Sequence, residues 1–338
     1  LPYWIHKMNP SQDLCNRAQQ GLKARLDRLT QEMMTGDKSD IPKTLGGDLS
    51  GISHIESRLK LLTTFQQNAS EAQTRLAGMQ AALGQIHDVV DDLGPRLLTE
   101  PNILDEHDLR ARADSINRDF QSMLATLNTT SAGQHLFAGN RTDGPALTGF
   151  ETILAELNTA VSGATTAAAI ANRIDAWFAA PQGAGGFSDT VYRGSDNGST
   201  RFLISPDHRI DSNLSANSVE LCDTLKGMAM IAYASEAGPA MDAKTLRDLF
   251  SEAGVRLAKA TIGLTAARAD LGQQQAAVTQ AQARNSAETT TLSIARTNMI
   301  GADPAETATA LEETEAKIQS LYAITVRLSR LSLADYLS

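Results

Sequence analysis

The residues best suited to chemistry are the six histidines and the acidic side chains near them. His87, with Asp88, Asp91 and Asp92, has the residue types of a metal site. On a helix, however, residues four apart lie along one row, and this pattern is typical of a solvated acidic face. The spacing therefore favours a helix surface, and we predict no metal ion there.

Two further groups have the residue types of an enzyme. Ser131, His135 and Asp143 could supply a nucleophilic triad, but a triad is defined by geometry, and these residues are typical of a polar loop. The glycine-rich residues 182–186 lack the Lys-Ser/Thr of a phosphate-binding loop. We therefore predict that the chain is not an enzyme and binds no cofactor.

Composition excludes several classes of partner. The 338-residue chain has a formal net charge of -9 and no basic block, which argues against nucleic acid and against an anionic membrane surface. It has no run of about 20 apolar residues and no visible signal peptide. Cys15 and Cys222 form no zinc-type cluster, so we predict two buried thiols and leave a disulfide between them open.

Apolar residues that recur three and four positions apart predict that most of the chain forms long helices, which would position the polar residues discussed above. The longest, near residues 244–299, contains no proline and would be about 80 Å long. That length favours a rod over a compact globule. Helices are predicted near residues 9–35, 51–93, 101–127, 217–237, 244–299 and 304–337.

Two of these helices have the heptad spacing of a coiled coil. In the helix near residues 51–93, apolar residues recur every seventh position, and Gly94-Pro95 is predicted to end it. The heptad residues are Ile55, Leu62, Ala69, Leu76, Leu83 and Val90. In the last helix, Asp303 is a predicted N-cap, Pro304 is the first helical residue, and Glu306, three residues after Asp303, completes a capping-box-like pattern.

The first and last helices have matching apolar seams, which predicts that they pair. We predict that these seams also contact neighbouring subunits in an assembly, and part of them could instead be intramolecular core. The predicted interface residues are Leu22, Leu26, Leu29, Met33, Ile318, Leu321, Thr325, Leu328 and Leu331.

The middle of the chain has shorter predicted elements than the rest. Residues 135–145 are predicted to form a short strand and a turn, with Gly139 and Gly144 available for positive φ. Further on, two short helices are predicted, followed by strands with a hairpin-type turn at residues 194–198. The helices cover residues 149–161 and 165–179, and the strands cover residues 190–193, 201–204 and 208–210.

The predicted fold class is therefore mainly α, a long-helix coiled-coil rod built from both termini with a small α+β insert in the middle. Three parts are expected. They are the terminal coiled-coil helices (residues 1–36 and 301–338), a long-helix core (37–147 and 216–300) and an outward-facing insert (148–215).

Four segments resemble the flagellin superfamily, and most closely the hook-associated protein 3 family. Residues 134–143 are similar to a YLFAG-x-x-T-D turn, with His135 in place of tyrosine and with Leu136, Phe137, Ala138, Gly139, Thr142 and Asp143 matching. Residues 268–274 are similar to an R-x-x-L-G-x-x-Q segment, and residues 302–308 to a D-x-A-E-A helix start. Residues 331–337 are similar to an S-L-L-D-Y-L tail.

The resemblance implies a structural adaptor of the bacterial flagellum, exported by the type III route without a cleaved signal and located outside the cell. It implies that the terminal helices line an inner tube and that copies associate in a helical ring. The implied partners are flagellin, the other hook-associated junction protein and an export chaperone. Two alternatives remain: a flagellin, and a secreted helical-hairpin effector or tip protein.

Overall fold

The computed structural model describes the backbone of residues 10–195 and 200–337 and the side chains of residues 13–195, 200–211, 213–238 and 240–327. Helices dominate these residues, and strands form only two short hairpins, which confirms the mainly α fold class with a small β component. The helices are α1 (Pro10–Thr35), α2 (Ile41–Thr44), α3 (Ser50–Thr99), α4 (Glu106–Leu127), α5 (Phe150–Ala160), α6 (Ala167–Ala179), α7 (Phe187–Thr190), α8 (Val219–Ala237), α9 (Ala243–Ile300) and α10 (Pro304–Leu337). The strands are β1 (Thr130–Ser131), β2 (Gln134–His135), β3 (Thr200–Ser205) and β4 (His208–Ser212).

The chain divides into two compact units. The terminal unit contains residues 1–62 and 287–338, and the central unit contains residues 63–286. The long helices α3 and α9 contribute residues to both units. The three-part division expected above, with boundaries near residues 36, 147, 215 and 300, stays a prediction.

The central unit has a continuous apolar core in which α4, α5 and α6 pack against α8. In α8, residues 228–232 are completely buried. Among the largest fully buried side chains of the core are Phe120, Phe137, Phe187 and Phe250. The cysteines are free thiols, with Cys222 buried as predicted and Cys15 only half-buried.

The heptad pattern of α3 is largely confirmed, since Leu62, Ala69, Leu76, Leu83 and Val90 are buried and Ile55 is half-buried. The predicted stop at Gly94-Pro95 is wrong, because α3 continues through it to Thr99.

Tertiary packing explains why the helix does not stop there. A Cβ at Gly94 would lie 3.2 Å from the backbone nitrogen of Ala258, so Gly94 allows α9 to approach closely. Leu93 and Leu97, on either side, are 3% and 0% exposed. Burying these leucines offsets the hydrogen bond that Pro95 cannot donate.

The middle of the chain was predicted correctly only in part. Both short helices are present as α5 and α6, and β3 and β4 form an antiparallel hairpin with Phe202 opposite Ile210. The predicted strand at residues 190–193 is wrong: α7 ends at Thr190, and Tyr192 makes only a single bridge to Leu147. The predicted turn at residues 194–198 lies partly outside the described residues.

Two asparagine side chains attach β3 to the long helices of the central unit. Asn68 of α3 donates a hydrogen bond to the carbonyl of Leu203 at 2.9 Å, and the buried Asn285 of α9 donates to the carbonyl of Ile204, also at 2.9 Å. These bonds satisfy two strand carbonyls that face the helices.

Candidate subunit interface

The terminal unit is built around the packing of α1 against α10, so the predicted pairing of the two terminal helices is confirmed. The Gln19 side-chain amide donates a hydrogen bond to the Tyr322 hydroxyl at 3.1 Å, across a sequence separation of 303 residues. At the start of α10, the Asp303 carboxylate accepts hydrogen bonds from the backbone N–H groups of Ala305 (2.8 Å) and Glu306 (3.1 Å). Asp303 is therefore the N-cap that the sequence predicts.

The predicted interface residues are only partly covered within the chain. Leu29 is buried, with 7% of its surface exposed, whereas Met33 is 45% exposed. Half-buried positions are Leu22, Leu26, Ile318 and Leu321, and Thr325 is exposed. The side chains of Leu328 and Leu331 lie outside the described residues.

Two buried threonines continue the seam of α10 in the N-terminal direction. Thr307 and Thr314 are 5% and 1% exposed, and they stand fourteen and seven residues before Leu321. The Thr314 hydroxyl donates to the carbonyl of Ala310 at 2.7 Å, which lets the side chain be buried. A search for apolar residues misses both, but extending the heptad of Leu321 backwards would have found them.

Other large apolar side chains of α1 and α10 point into solvent. Single exposed apolar residues are common in proteins, and this helix pair has several. They are Leu14 (68% exposed), Met34 (82%), Tyr322 (53%), Ile324 (51%) and Val326 (52%).

Backbone hydrogen bonds join the end of α1 to the segment between α9 and α10. The Lys38 N–H donates to the carbonyl of Ile300 at 2.8 Å, and the Ala302 N–H donates to the carbonyl of Gly36 at 2.9 Å. These two bonds enclose a single antiparallel bridge between Asp37 and Gly301. They fix where α10 begins relative to the end of α1.

Two ion pairs surround this joint. Arg296 donates to both carboxylate oxygens of Asp37, at 3.0 and 2.6 Å, and this contact raises the pKa of Arg296. Arg58 of α3 makes a second two-point pair with Glu288 of α9, at 2.5 and 2.9 Å. Hydrogen bonding from Arg58 lowers the pKa of Glu288. Two-point guanidinium–carboxylate pairs fix orientation as well as distance.

The turn that carries the family resemblance lies in the core of the central unit. Leu136, Phe137 and Ala138 are at most 1% exposed. Gly139 adopts the predicted positive φ of +62°, and a Cβ there would lie 2.1 Å from the carbonyl oxygen of Ser195. The expectation for Gly144 is wrong, because its φ lies outside the left-handed region and its surroundings are open.

The turn is fastened to neighbouring segments by backbone hydrogen bonds. The Asn140 N–H donates to Ser195 at 3.0 Å, and the Ser195 N–H donates to Ala138 at 3.1 Å. The Ala216 N–H donates to the carbonyl of Phe137 at 2.8 Å. The turn therefore holds together three segments that are distant in the sequence.

The remaining motif residues make local contacts. The carbonyl of Thr142 accepts a hydrogen bond from the His135 N–H at 2.9 Å. The His135 ring shares a 2.8 Å hydrogen bond with the carbonyl of Asn128, while the exposed Asp143 lies 3.8 Å from Arg141. His135 and Asp143 thus have other partners than the ones a triad requires.

The backbone N–H groups of the glycine-rich segment bind a carboxylate of the chain itself. The Asp189 carboxylate accepts hydrogen bonds from the backbone N–H groups of Gly183 (2.9 Å) and Gly185 (2.8 Å), and these bonds lower the pKa of Asp189. Backbone N–H groups that could hold a phosphate in another protein are occupied here by the chain's own side chain.

His87 bonds to the Thr265 hydroxyl at 3.2 Å and lies 3.8 Å from Asp88. Among the described residues, no three His, Cys, Asp or Glu side chains are grouped closely enough to hold a metal ion. Over the same part of the chain, no helix is both long and apolar enough to cross a membrane.

Two family models match the chain, one at each end. Residues 8–142 match the bacterial flagellin N-terminal helical region, and residues 256–337 match the bacterial flagellin C-terminal helical region. The chain belongs to the flagellin superfamily. The matches include the helix pair α1 and α10 as well as the turn at residues 136–139.

The comparisons with solved structures and with curated proteins say less about the family. A solved structure described as a flagellar hook-associated protein from Vibrio parahaemolyticus is similar to the chain at 13% sequence identity and a TM-score of 0.40. That similarity covers 70% of this chain and 93% of the other. A search of curated proteins finds no match.

Membership of this superfamily defines the general role of the chain. Flagellin-family proteins are structural proteins, so the chain is a structural component of the bacterial flagellum. Its partners are accordingly flagellar components, including further copies of itself.

Proposed function

We propose that this chain is the adaptor at the hook–filament junction, where it joins the hook-side junction protein to flagellin. The observation that supports a subunit role most directly is the incompletely buried helix pair α1 and α10. A pair that leaves Leu14, Met34 and Ile324 in solvent gains further burial only when neighbouring molecules cover it.

The predicted interface residues fit this proposal. Leu22, Leu26, Ile318 and Leu321 are half-buried between α1 and α10, so each has surface left for a neighbour. Contacts that repeat from subunit to subunit without closing build helical assemblies. We propose that the terminal helices line the inner tube, that the long helices form the next layer, and that residues 148–215 face outward.

The choice of junction protein over flagellin depends on two motifs. The Phe137-Ala138-Gly139 turn resembles the hook-associated protein 3 family, and so does the ending Asp335-Tyr336-Leu337. Burial of the turn and the need for glycine at position 139 support the first of these. Flagellin is the second candidate, because the helix pair would serve a filament subunit equally well.

The proposed role also implies a location and a route. As an axial component, the chain would reach the cell exterior through the flagellar type III export channel, with an export chaperone as a further partner.

The location of the protein on the flagellum tests the proposal. The loop at residues 182–186 is unsuitable for an epitope tag because Asp189 holds it closed. The turn at Pro206 and Asp207, between β3 and β4, is exposed and accepts an insertion better. Tagged cells would be imaged with gold-labelled antibody, with untagged cells and a motility assay as controls.

Each result has a clear meaning. One gold particle cluster at the base of each filament is the expected result. Label along the whole filament would instead identify a flagellin. Motile cells whose flagella carry no label would contradict both and leave the secreted helical-hairpin protein as the better hypothesis.

A further inference from the structure

Arg75 of α3 is a buried cation without a counter-ion. Only 6% of its surface is exposed. Its Nη2 donates to the carbonyl of Leu136 at 2.8 Å, but its Nε has no hydrogen-bond partner. Among the described residues, no carboxylate oxygen lies within 4.0 Å of the Arg75 guanidinium nitrogens.

An arginine in this position is costly to fold. A buried charge that lacks a partner destabilises a protein, and an unpaired buried N–H group adds to the cost. Burial lowers the pKa of Arg75, yet a guanidinium stays protonated at neutral pH even so. The bond to Leu136 uses only part of its donor capacity.

Arg75 lines an open cleft of about 330 Å³ in the central unit. Apolar atoms form most of the cleft's surface, with Ala132 and Phe202 in its wall, and its uncharged polar residues are Ser70, Thr74, Ser131 and Gln134. The hydroxyl groups of Ser70 and Ser131 and the amide of Gln134 are donors that an anion could use. Glu71 is the only acidic residue of the lining, and it is exposed.

We propose that this cleft is a carboxylate-binding site in which Arg75 is the charged ligand. A planar guanidinium matches a carboxylate in shape and charge, and one bound there would supply the missing counter-ion. The carboxylate could come from a small organic acid or from an Asp or Glu side chain of a second copy of this chain. The proposal does not depend on the junction role.

One competing explanation lies within the chain. Glu71 stands four residues before Arg75, a spacing at which helical side chains can pair. If Glu71 rotates inward in solution, the cleft is already neutralised. The Glu71→Gln variant removes this carboxylate while keeping the shape of the side chain.

The first test observes the guanidinium directly. The full chain is labelled with ¹⁵N-arginine, and the Nε resonance of Arg75 is assigned by its absence in Arg75→Lys. Sodium acetate is then titrated against sodium chloride of equal ionic strength. We expect a saturable shift of the Arg75 resonance with acetate only, which Glu71→Gln preserves or strengthens.

Arg256 is the internal control. It lies in the same unit, and its guanidinium is already paired with Asp175 at 2.6 Å and Glu252 at 2.6 Å. Its Nε resonance is therefore expected to stay constant. An equal response of both arginines, or no response of Arg75 in the wild type and in Glu71→Gln, would overturn the proposal.

Thermal unfolding gives a second readout that needs no assignment. Acetate at ten times its dissociation constant should lower the unfolding equilibrium constant about elevenfold relative to chloride. Arg75→Gln should lose this response. If that variant does not fold, the wild-type titration still decides.

Self-association distinguishes the two sources of carboxylate. If a neighbour's side chain occupies the cleft, acetate should weaken self-association measured by sedimentation, and Arg75→Gln should weaken it in the same way. If acetate binds but self-association is unchanged, the ligand is a small organic acid. Without saturable acetate binding, the site does not exist.

Discussion

The central and terminal units bury their apolar residues to very different degrees. In the central unit, Leu109, Ile116 and Phe137 are completely buried. In the terminal unit, Leu29 is the only predicted seam residue that is buried, among those whose side chains are described, and Met34 is 82% exposed. The predicted seam of α1 and α10 is therefore less completely buried than the apolar core of the central unit.

The difference shows how the two units are held together. Apolar burial and a hydrogen-bonded turn stabilise the central unit, and both lie wholly within the chain. Polar contacts such as the Arg296–Asp37 pair and the Asp303 cap also stabilise the terminal unit. It leaves apolar surface available, which is what a subunit with binding partners requires.

The largest effect is expected from Gly139→Ala in the central unit. The new Cβ would meet the carbonyl oxygen of Ser195 at 2.1 Å, and φ is +62°. We expect a loss of about 3 kcal/mol or more in the free energy of unfolding, measured by urea denaturation. Gly144→Ala is the matched control and should cost under about 1 kcal/mol, since nothing lies nearby. Equal losses would mean that the turn is not essential to the core.

A second prediction places a charge in the terminal unit. Leu321→Asp should weaken assembly at least about 100-fold, because an unpaired charge would enter the interface. The melting temperature of the monomer should change by only a few degrees. Gln319→Asp adds the same charge to an exposed site on α10 and should assemble normally. If Leu321→Asp instead lowered the melting temperature by tens of degrees, Leu321 would be core.

A smaller, local effect is expected at the joint. Arg296→Gln removes the two-point pair with Asp37 and should cost about 1 kcal/mol. Hydrogen exchange at the N–H groups of Lys38 and Ala302 should accelerate, while exchange in the central unit stays the same. Arg284→Gln, at an exposed position of the same helix, is the control. Unchanged exchange in Arg296→Gln would show that the backbone bonds suffice.

The smallest effect is a pH dependence of the terminal unit. Because Arg58 lowers the pKa of Glu288, the unfolded chain binds more protons than the folded one between the two pKa values. The pair therefore stabilises fully above the ordinary pKa of glutamate, and this contribution is lost as pH falls through the folded pKa. Since Glu288 is partly exposed, we expect under about 1 kcal/mol.

Hydrogen exchange near Glu288 measured across the acidic range checks this prediction. Arg58→Gln should flatten the profile. A profile that persists in Arg58→Gln would assign the pH dependence to another carboxylate.

Periodic features were predicted well from the sequence. The spacing of apolar residues located α1, α9, α10 and the start of α3 to within a few residues, because each helix has one face that it must bury. The N-cap at Asp303 was found because its chemistry is local.

Features that depend on distant contacts were not predicted. The reason α3 continues past Pro95 is the close approach of Ala258, 163 positions later in the 338-residue chain. Residues 190–193 have β-forming side chains, yet only Tyr192 makes a bridge, to the single residue Leu147, and no strand forms there. Arg75 was missed because it stands beside Leu76 in a heptad, where a charge is usually solvated.

The hydrogen bond between Gln19 and Tyr322 has a consequence for the order of folding. A ribosome makes α1 before α10, so the two helices cannot pair until the roughly 300 residues between Gln19 and Tyr322 have been synthesised. Closing so long a loop costs chain entropy that local contacts do not pay. Pairing of α1 with α10 at this contact therefore requires that the chain has been synthesised at least as far as Tyr322.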